Sequence, residues 1–193
     1  MASPRAGNVA ASRGLKVGVA TAAIGLAVAG GFLALANRGP RRAPDFAVSD
    51  LQGRTVRLSA LRGKVVLVNL WTTWCPPCVE EMPSMERLNA RLAGDDFMVL
   101  AVSQDEDGRR VVEPFVERMK LTLPVFLDPD HEVGDRYGVT GYPETFVVDR
   151  NGYVVERVIG PRDWTSAQSL SALGALIASG GHGGPPPAPG GPS

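Results

Sequence analysis

The chain has 193 residues, which suits one folded domain with a further segment on either side of it. Twenty basic and twenty acidic residues give a formal net charge of zero. Because neither sign of charge dominates, nothing in this balance points to a nucleic-acid partner or to a strongly acidic one.

An apolar segment occupies residues 15–36, LKVGVATAAIGLAVAGGFLALA, and carries no charge after Lys16. A run of about 20 apolar residues is the length at which a helix crosses a bilayer, so we predict a single-pass anchor in the cell membrane. Basic residues before the run favour a cytoplasmic tail over residues 1–14. The alternative is a cleaved signal peptide, for which residues 34–36 (Ala-Leu-Ala) form a small-x-small cleavage pattern. Both interpretations predict that the following domain is exported.

The rest of the chain divides by composition. Residues 37–43 are predicted as a linker, and residues 44–178 as the folded domain. Residues 179–193 are mostly glycine and proline, with no apolar side chain larger than alanine. Such a segment cannot bury enough surface to offset the entropy of ordering, so we predict a disordered tail.

The first half of the domain predicts a hairpin, a buried strand and a helix. Short alternating runs flank Gln52-Gly53 and indicate the hairpin. The β-branched run VVLVNLW at 65–71 is typical of a central strand covered on both faces. Helical spacing then extends from Pro76 to Leu92, and prolines are tolerated in a first helical turn. Pro83 lies deeper and predicts a kink.

The second half continues the alternation of strands and helices. We predict a strand over 97–103, a helix within 108–121, a third parallel strand in LPVFLD and a short helix in HEVGDRYGV. Strand-like runs flank Asn151-Gly152, a pair suited to the left-handed conformations of a tight hairpin turn. A helix from Ser166 to Ala178 ends the domain. This order predicts an α/β sandwich, with parallel strands followed by antiparallel ones.

The only two cysteines, Cys75 and Cys78, fall where the predicted central strand turns into its helix. A zinc site needs four ligands, and besides this pair the domain offers only His131, so we expect no metal. A structural disulfide would close a loop too short to gain much from chain entropy. A thiolate at a helix N-terminus is stabilised by the helix dipole and by unpaired amides, so we predict a low thiol pKa and nucleophilic attack by Cys75. Cys78 would resolve the mixed disulfide.

Two segments carry a family resemblance, GKVVLVNLWTTWCPPCVEEMP and GVTGYPETFVVDRNG. They resemble the membrane-anchored, thioredoxin-like TlpA/ResA/DsbE family of thiol–disulfide oxidoreductases, over roughly residues 44–177. Asn69 stands where thioredoxins tend to have a buried aspartate, and the stretch between Cys78 and Pro143 is longer by about one strand–helix unit. The resemblance implies a thioredoxin-like fold, with a central mixed sheet flanked by helices, an N-terminal β-hairpin extension and a central insertion.

The same resemblance implies roles at the site, with no cofactor beyond a redox-active Cys75–Cys78 disulfide. Pro143 matches the family's cis-proline, which leaves the backbone of Tyr142 free to pair with an extended substrate. Glu81 matches an acidic residue that could relay protons to Cys78, because burial beside a thiol would raise its pKa; a solvated helix glutamate is the alternative. The other residues predicted on the substrate side are Trp74, Pro76, Pro77 and Glu144, whereas Glu80 is expected to be solvated.

The function implied is reduction of disulfides in exported proteins, with apocytochrome c as the expected client. Electrons would then come from a transmembrane thiol donor, because the far side of a membrane lacks a reducing pool. Three alternatives stay open: a disulfide oxidase or general disulfide handler, a peroxide-reducing redoxin, and a non-catalytic module that chaperones a metal or binds a client.

Overall fold

The computed structural model describes residues 41–179, so the predicted anchor at 15–36 and all but the first residue of the predicted tail lie outside it. An eight-stranded mixed sheet has the order β1-β8-β7-β4-β5-β6-β2-β3. Its strands are β1 (Arg41–Arg42), β2 (Ala47–Asp50), β3 (Thr55–Arg57), β4 (Val65–Trp71), β5 (Phe97–Ser103), β6 (Val125–Leu127), β7 (Glu144–Val148) and β8 (Tyr153–Ile159). The helices are α1 (Pro76–Leu92), α2 (Arg109–Met119), α3 (Glu132–Tyr137) and α4 (Ala167–Ala178), with a 3₁₀ turn at Leu58–Leu61.

The centre of the sheet is β4, whose seven residues are all buried. It pairs in parallel with β5 and antiparallel with β7, so both its edges and both its faces are covered. This position explains the uninterrupted run of β-branched and apolar residues and confirms the predicted central strand. Parallel pairing of β6 with β5 confirms the third parallel strand.

Two apolar cores lie on the two faces of the sheet. One contains side chains from α1, α2 and α4, among them Met85, Phe115 and Leu173, packed against Leu67 and Trp71. The other joins the N-terminal hairpin to α3. Burying a large apolar side chain contributes about 1.5–3 kcal/mol, so helices on both faces stabilise the sheet. A mixed sheet between helical layers confirms the predicted α/β, thioredoxin-like fold.

The N-terminal hairpin is confirmed and extends the edge of the sheet. β2 pairs antiparallel with β3, with Val48 opposite Val56, and it also pairs with β6. Arg41 and Arg42 were expected in the linker, but they form β1 against β8 instead. The Arg42 guanidinium lies 5.1 Å from the centre of the Tyr153 ring, a cation–π contact that favours this pairing.

The predicted hairpin between β7 and β8 is present, but its turn differs from the prediction. Gly152 has a left-handed backbone with φ 82°, whereas Asn151 does not. The Asp149 carboxylate accepts the N–H groups of Asn151 at 3.0 Å and Tyr153 at 2.8 Å. Because the Asp149 side chain accepts backbone N–H groups within the turn, the turn closes with one residue in the left-handed conformation and does not require a second.

The longest helix, α1, has the bounds that the sequence predicts and begins directly after Cys75. The helix continues across the exposed position of Pro83, so the kink expected there stays a prediction. No helix within residues 41–179 combines the length and the apolar character that crossing a bilayer requires.

Candidate active site

The two cysteines form a disulfide at the start of α1, with their Cα atoms 5.3 Å apart. Cys75 is the N-cap residue of this helix, and its sulfur accepts the backbone N–H of Cys78 at 3.2 Å. That amide would stabilise a thiolate on Cys75 after reduction, as the helix dipole also would. Cys75 is 4% exposed and Cys78 is fully buried, so an incoming sulfur would meet Cys75 first.

An aromatic pair connects the cysteine loop to the loop before β7. Trp74 is 69% exposed, and its ring meets the ring of Tyr142 edge to face with centroids 6.1 Å apart. The peptide bond between Tyr142 and Pro143 is cis, which confirms the predicted cis-proline. Pro76 is exposed beside the disulfide and Pro77 is half-buried. The structure therefore brings together the residues that the sequence analysis placed on the substrate side, apart from Glu144.

The backbone of Tyr142 has no hydrogen-bond partner within residues 41–179. The next carbonyl, that of Pro143, accepts the N–H of Gly160 at 2.9 Å and so belongs to the sheet. Tyr142 thus keeps one donor and one acceptor where the sheet ends and the disulfide loop begins. An extended peptide could pair with these groups as an added strand would.

Glu81 is buried one helical turn after Cys78, so the alternative of a solvated glutamate is wrong. Its carboxylate accepts hydrogen bonds from the indole N–H of Trp164, the backbone N–H of Arg162 at 3.2 Å and the Asn69 amide at 3.3 Å. Burial raises the pKa of Glu81, and these hydrogen bonds offset only part of the rise.

A groove of about 280 Å³ reaches Glu81 from the solvent-facing side of α1. Its other lining residues include Glu80, Ser84 and Arg87 from α1 and the segment from Pro161 to Asp163. Glu80 is exposed, as expected. Glu81 is therefore buried yet lines a groove that opens to solvent, an arrangement that suits the exchange of a proton with solvent.

Glu144 has a different environment from the one expected on the substrate side. Its side chain is fully buried, and its carboxylate pairs with Arg157 and accepts the N–H of Thr140 at 3.3 Å. Arg157 also donates to the carbonyl of Gly138 at 2.8 Å. Both carboxylate oxygens thus hold the loop before the cis-proline, and substrate contact by Glu144 stays a prediction.

Two polar side chains near the site were missed by the sequence analysis. The buried carboxylate of Asp105 binds Thr73, two residues before Cys75. The ring of His131, considered earlier only as a metal ligand, lies 3.4 Å from the hydroxyl of Tyr142. Asp105 follows a predicted parallel strand, and the carboxyl ends of such strands gather at one edge of a sheet, so the sequence did contain a signal for it.

Comparison with known proteins agrees with this geometry. Residues 40–157 match the model of the AhpC/TSA family. The thiol–disulfide oxidoreductase ResA of Geobacillus thermodenitrificans is 44% identical over 118 residues, which cover 61% of this chain and 67% of the relative. ResA of Bacillus anthracis is 38% identical over 120 residues, covering 62% and 69% of the two chains.

Solved structures show the same fold. A protein from Chlorobium tepidum described as thiol:disulfide interchange protein DsbE has 32% identity and a TM-score of 0.62, covering 74% of this chain and 96% of its own. StoA from Bacillus subtilis has 26% identity and a TM-score of 0.60, covering 70% and 99%. This chain therefore belongs to the AhpC/TSA family and is a thioredoxin-like thiol–disulfide oxidoreductase related to ResA.

Proposed function

We propose that the chain reduces disulfides in exported proteins on the extracytoplasmic side of the cell membrane, where residues 15–36 anchor it. The observation that carries this proposal is the position of the Cys75–Cys78 disulfide at a helix N-terminus, near the backbone of Tyr142, which is unpaired among residues 41–179. A reactive sulfur and a strand-like docking edge thus lie together. Such an edge suits an unfolded client chain better than a small molecule.

The reaction begins with the reduced pair. The Cys75 thiolate attacks one sulfur of a client disulfide, which forms a mixed disulfide and releases the other client sulfur as a thiolate. The Cys78 thiolate then attacks the Cys75 sulfur, restores the Cys75–Cys78 disulfide and releases the second client thiolate. Two electrons pass from the protein to the client. A transmembrane thiol donor must then return two electrons to the protein.

Glu81 is proposed to handle the proton of the second step. Cys78 must lose its proton before it can attack, and Glu81 lies three residues further along the same helix, where side chains are neighbours. The raised pKa of Glu81 brings its proton affinity closer to that of a thiol, which favours transfer between them. The groove beside α1 would let the proton leave to solvent.

Apocytochrome c is the proposed client. The similarity to proteins named thiol–disulfide oxidoreductase and thiol:disulfide interchange protein supports thiol–disulfide exchange. The segment GVTGYPET, residues 138–145, resembles the family members that act in cytochrome c maturation, and this resemblance supports apocytochrome c in particular. On the docking side, Trp74 and the two prolines Pro76 and Pro77 would flank the client peptide. No nucleic acid enters this function.

Trapping the mixed disulfide tests this proposal. The full chain carrying Cys78→Ala cannot complete the second step, so clients stay attached to Cys75 in cells that make c-type cytochromes. We expect apocytochrome c among the polypeptides released by reductant and identified by mass spectrometry. The Cys75→Ala/Cys78→Ala double variant is the matched control and should capture none. Captured clients without any apocytochrome c would remove the client assignment, and a strongly oxidising reduction potential would remove the reducing role.

A further inference from the structure

The loop that leads into the disulfide is held by a carboxylate from the neighbouring strand. Strands β4 and β5 are parallel and end in register, with Trp71 opposite Ser103. Two residues beyond each of these ends stand Thr73 and Asp105, and the Gln104 N–H donates to the Trp71 carbonyl at 2.8 Å. The two loops therefore leave the same edge of the sheet side by side.

We propose that Asp105 is a positioning residue for the Cys75 nucleophile, because its buried carboxylate fixes the entry to the disulfide and adds a negative charge near it. This inference rests on the proposed function, since it assigns Asp105 a part in that exchange reaction. Glu81, another buried acid, lies on α1 and contacts a different set of groups.

The contacts of Asp105 carry the first part of the proposal. Asp105 is 3% exposed. Its carboxylate accepts the Thr73 N–H at 2.9 Å, the Thr73 hydroxyl at 2.7 Å and the Ser103 hydroxyl at 2.8 Å. All three partners are hydrogen-bond donors, which suits an ionised carboxylate because its two oxygens only accept hydrogen bonds. Thr73 is therefore gripped through both its backbone and its side chain.

The hydrogen bonds between Asp105 and Thr73 determine the direction of the residues that follow. The N–H of Cys75 donates to the Thr72 carbonyl at 3.4 Å, so the chain turns tightly around Thr73 before α1 begins. Trp74 stands between the held threonine and the disulfide, with its ring projecting to Tyr142. A fixed Thr73 thus fixes both the docking tryptophan and the N-cap position of Cys75.

The charge of Asp105 carries the second part. Thr73 and Cys75 are two residues apart, which limits the distance between their Cα atoms to about 7.6 Å. The buried carboxylate of Asp105 contacts Thr73 directly, and a buried charge is screened by salt less than an exposed one. The same charge also reaches Tyr142, whose pKa is raised first by burial and then by the carboxylates of Asp128, Asp105 and Asp135. A negative charge near Cys75 disfavours its thiolate and therefore favours the disulfide form, which makes the protein a stronger reductant.

Other charged groups around this face are the carboxylates of Asp128 and Asp135, the Glu106–His131 pair and Glu81. Among the described residues, only Asp105 forms side-chain hydrogen bonds with Thr73. Substitutions at Asp105 and Thr73 can therefore separate the effect of the negative charge from the effect of the hydrogen bonds to Thr73. Asp105→Asn removes the charge in a side chain of the same shape. Thr73→Val removes one donor and leaves the charge less compensated.

The test measures the alkylation rate of reduced full-length chain by iodoacetamide across pH. For Asp105→Asn we expect the midpoint, the pH at which alkylation of Cys75 is half-maximal, to fall by roughly half a pH unit. The equilibrium constant of the Cys75–Cys78 pair with glutathione, measured separately, should shift about threefold toward the dithiol form. For Thr73→Val we expect the midpoint to rise. Thr73→Ser keeps the hydroxyl and should match the wild type. Asp107→Asn makes the same change at an exposed position in the same loop and should also leave the midpoint unchanged.

Shifts of opposite sign are the signature of a charged positioning group, since mere loosening of the loop would move both variants in one direction. Shifts of the same sign, or none in variants whose urea unfolding matches that of the wild type, would overturn the proposal. Insulin reduction by the wild-type chain is measured in parallel. If the wild type itself reduces no disulfide, the proposed function fails; if it does and Asp105→Asn is unchanged in every measurement, only the role of Asp105 fails.

Discussion

The two cysteines of the disulfide face different surroundings. Around Cys75 are the exposed Trp74 and the backbone of Tyr142, which has no hydrogen-bond partner in the described part of the chain. Beyond Cys78, which is fully buried, the same helix carries the buried and hydrogen-bonded Glu81. One side is built to meet a polypeptide, and the other to hold a proton. Client docking and proton transfer are therefore assigned to different residues, and substitutions should affect them separately.

The largest effect that separates the two sides is expected at Glu81. Glu81→Gln keeps the shape of the side chain but can neither take up nor release a proton. We therefore expect resolution of the mixed disulfide by Cys78 to slow about 100-fold, within the range for loss of a general acid–base group. Attack by Cys75 should change less than about threefold. Stopped-flow exchange with insulin at several pH values separates the two steps. Glu80→Gln, at the exposed neighbouring position, is the control. Equal slowing of both steps would contradict a role confined to Cys78.

Stability offers a second measurement of the same glutamate. The pKa of Glu81 is higher in the folded chain than in an unfolded one, so the folded state binds more protons between these two values. The free energy of unfolding must then fall as pH rises through that window. Glu81→Gln has no carboxyl that titrates in this window. Urea unfolding at pH 5 and pH 8 should therefore show that the free energy of unfolding of the variant, relative to that of the wild type, is higher at pH 8 than at pH 5. An unchanged difference would mean that Glu81 ionises in the folded chain as it does in the unfolded one.

Much of this arrangement follows from the sequence, for local reasons. The run at 65–71, the prolines at a helix start and the cysteine spacing each determine nearby backbone, so the bounds of β4 and α1 were predicted to the residue. The partners of Glu81 could not be predicted in this way. Arg162 and Trp164 lie about 80 positions further along the chain, and only the packing of the segment before α4 brings them to the carboxylate.

The environment of Glu144 could not be predicted from its neighbours in the sequence. Its place in the PET sequence next to the cis-proline made substrate contact a natural expectation. Its side-chain direction is set by the alternation of β7, which turns it to the same face of the sheet as Phe146 and, across the strand pair, Arg157. A strand's alternation is readable in the sequence, but the choice between a buried partner and a solvent-filled groove depends on β8, which follows later in the chain.

The docking side predicts an intermediate effect at Trp74. Trp74→Ala removes an exposed aromatic surface next to the attacking sulfur, so we expect kcat/KM for insulin to fall about tenfold, or about 1.4 kcal/mol. Reduction of a small aromatic disulfide, which needs no docking edge, should fall less than about twofold. Val155→Ala, an exposed apolar position on β8, is the control. Equal losses with both substrates would place Trp74 in the chemical step and not in docking.

The smallest effect on exchange is expected at Arg157, although its effect on stability should be large. Arg157→Ala leaves the fully buried carboxylate of Glu144 without its ion-pair partner, so we expect the free energy of unfolding to fall by about 2–3 kcal/mol. This loss is at or below the lower limit of about 3 kcal/mol for buried pairs, because the arginine is partly exposed. Insulin reduction well below the unfolding transition should stay within about twofold of the wild type.

The Arg162–Glu156 pair provides the matched control, because both of its side chains are partly exposed. Arg162→Ala keeps the backbone N–H that Glu81 accepts and should cost about 1 kcal/mol or less. If Arg157→Ala instead abolished reduction of insulin while its urea midpoint stayed unchanged, Glu144 would belong to the docking surface after all. The boundary between the client-facing side and the buried side would then run through β7, and not between the two cysteines.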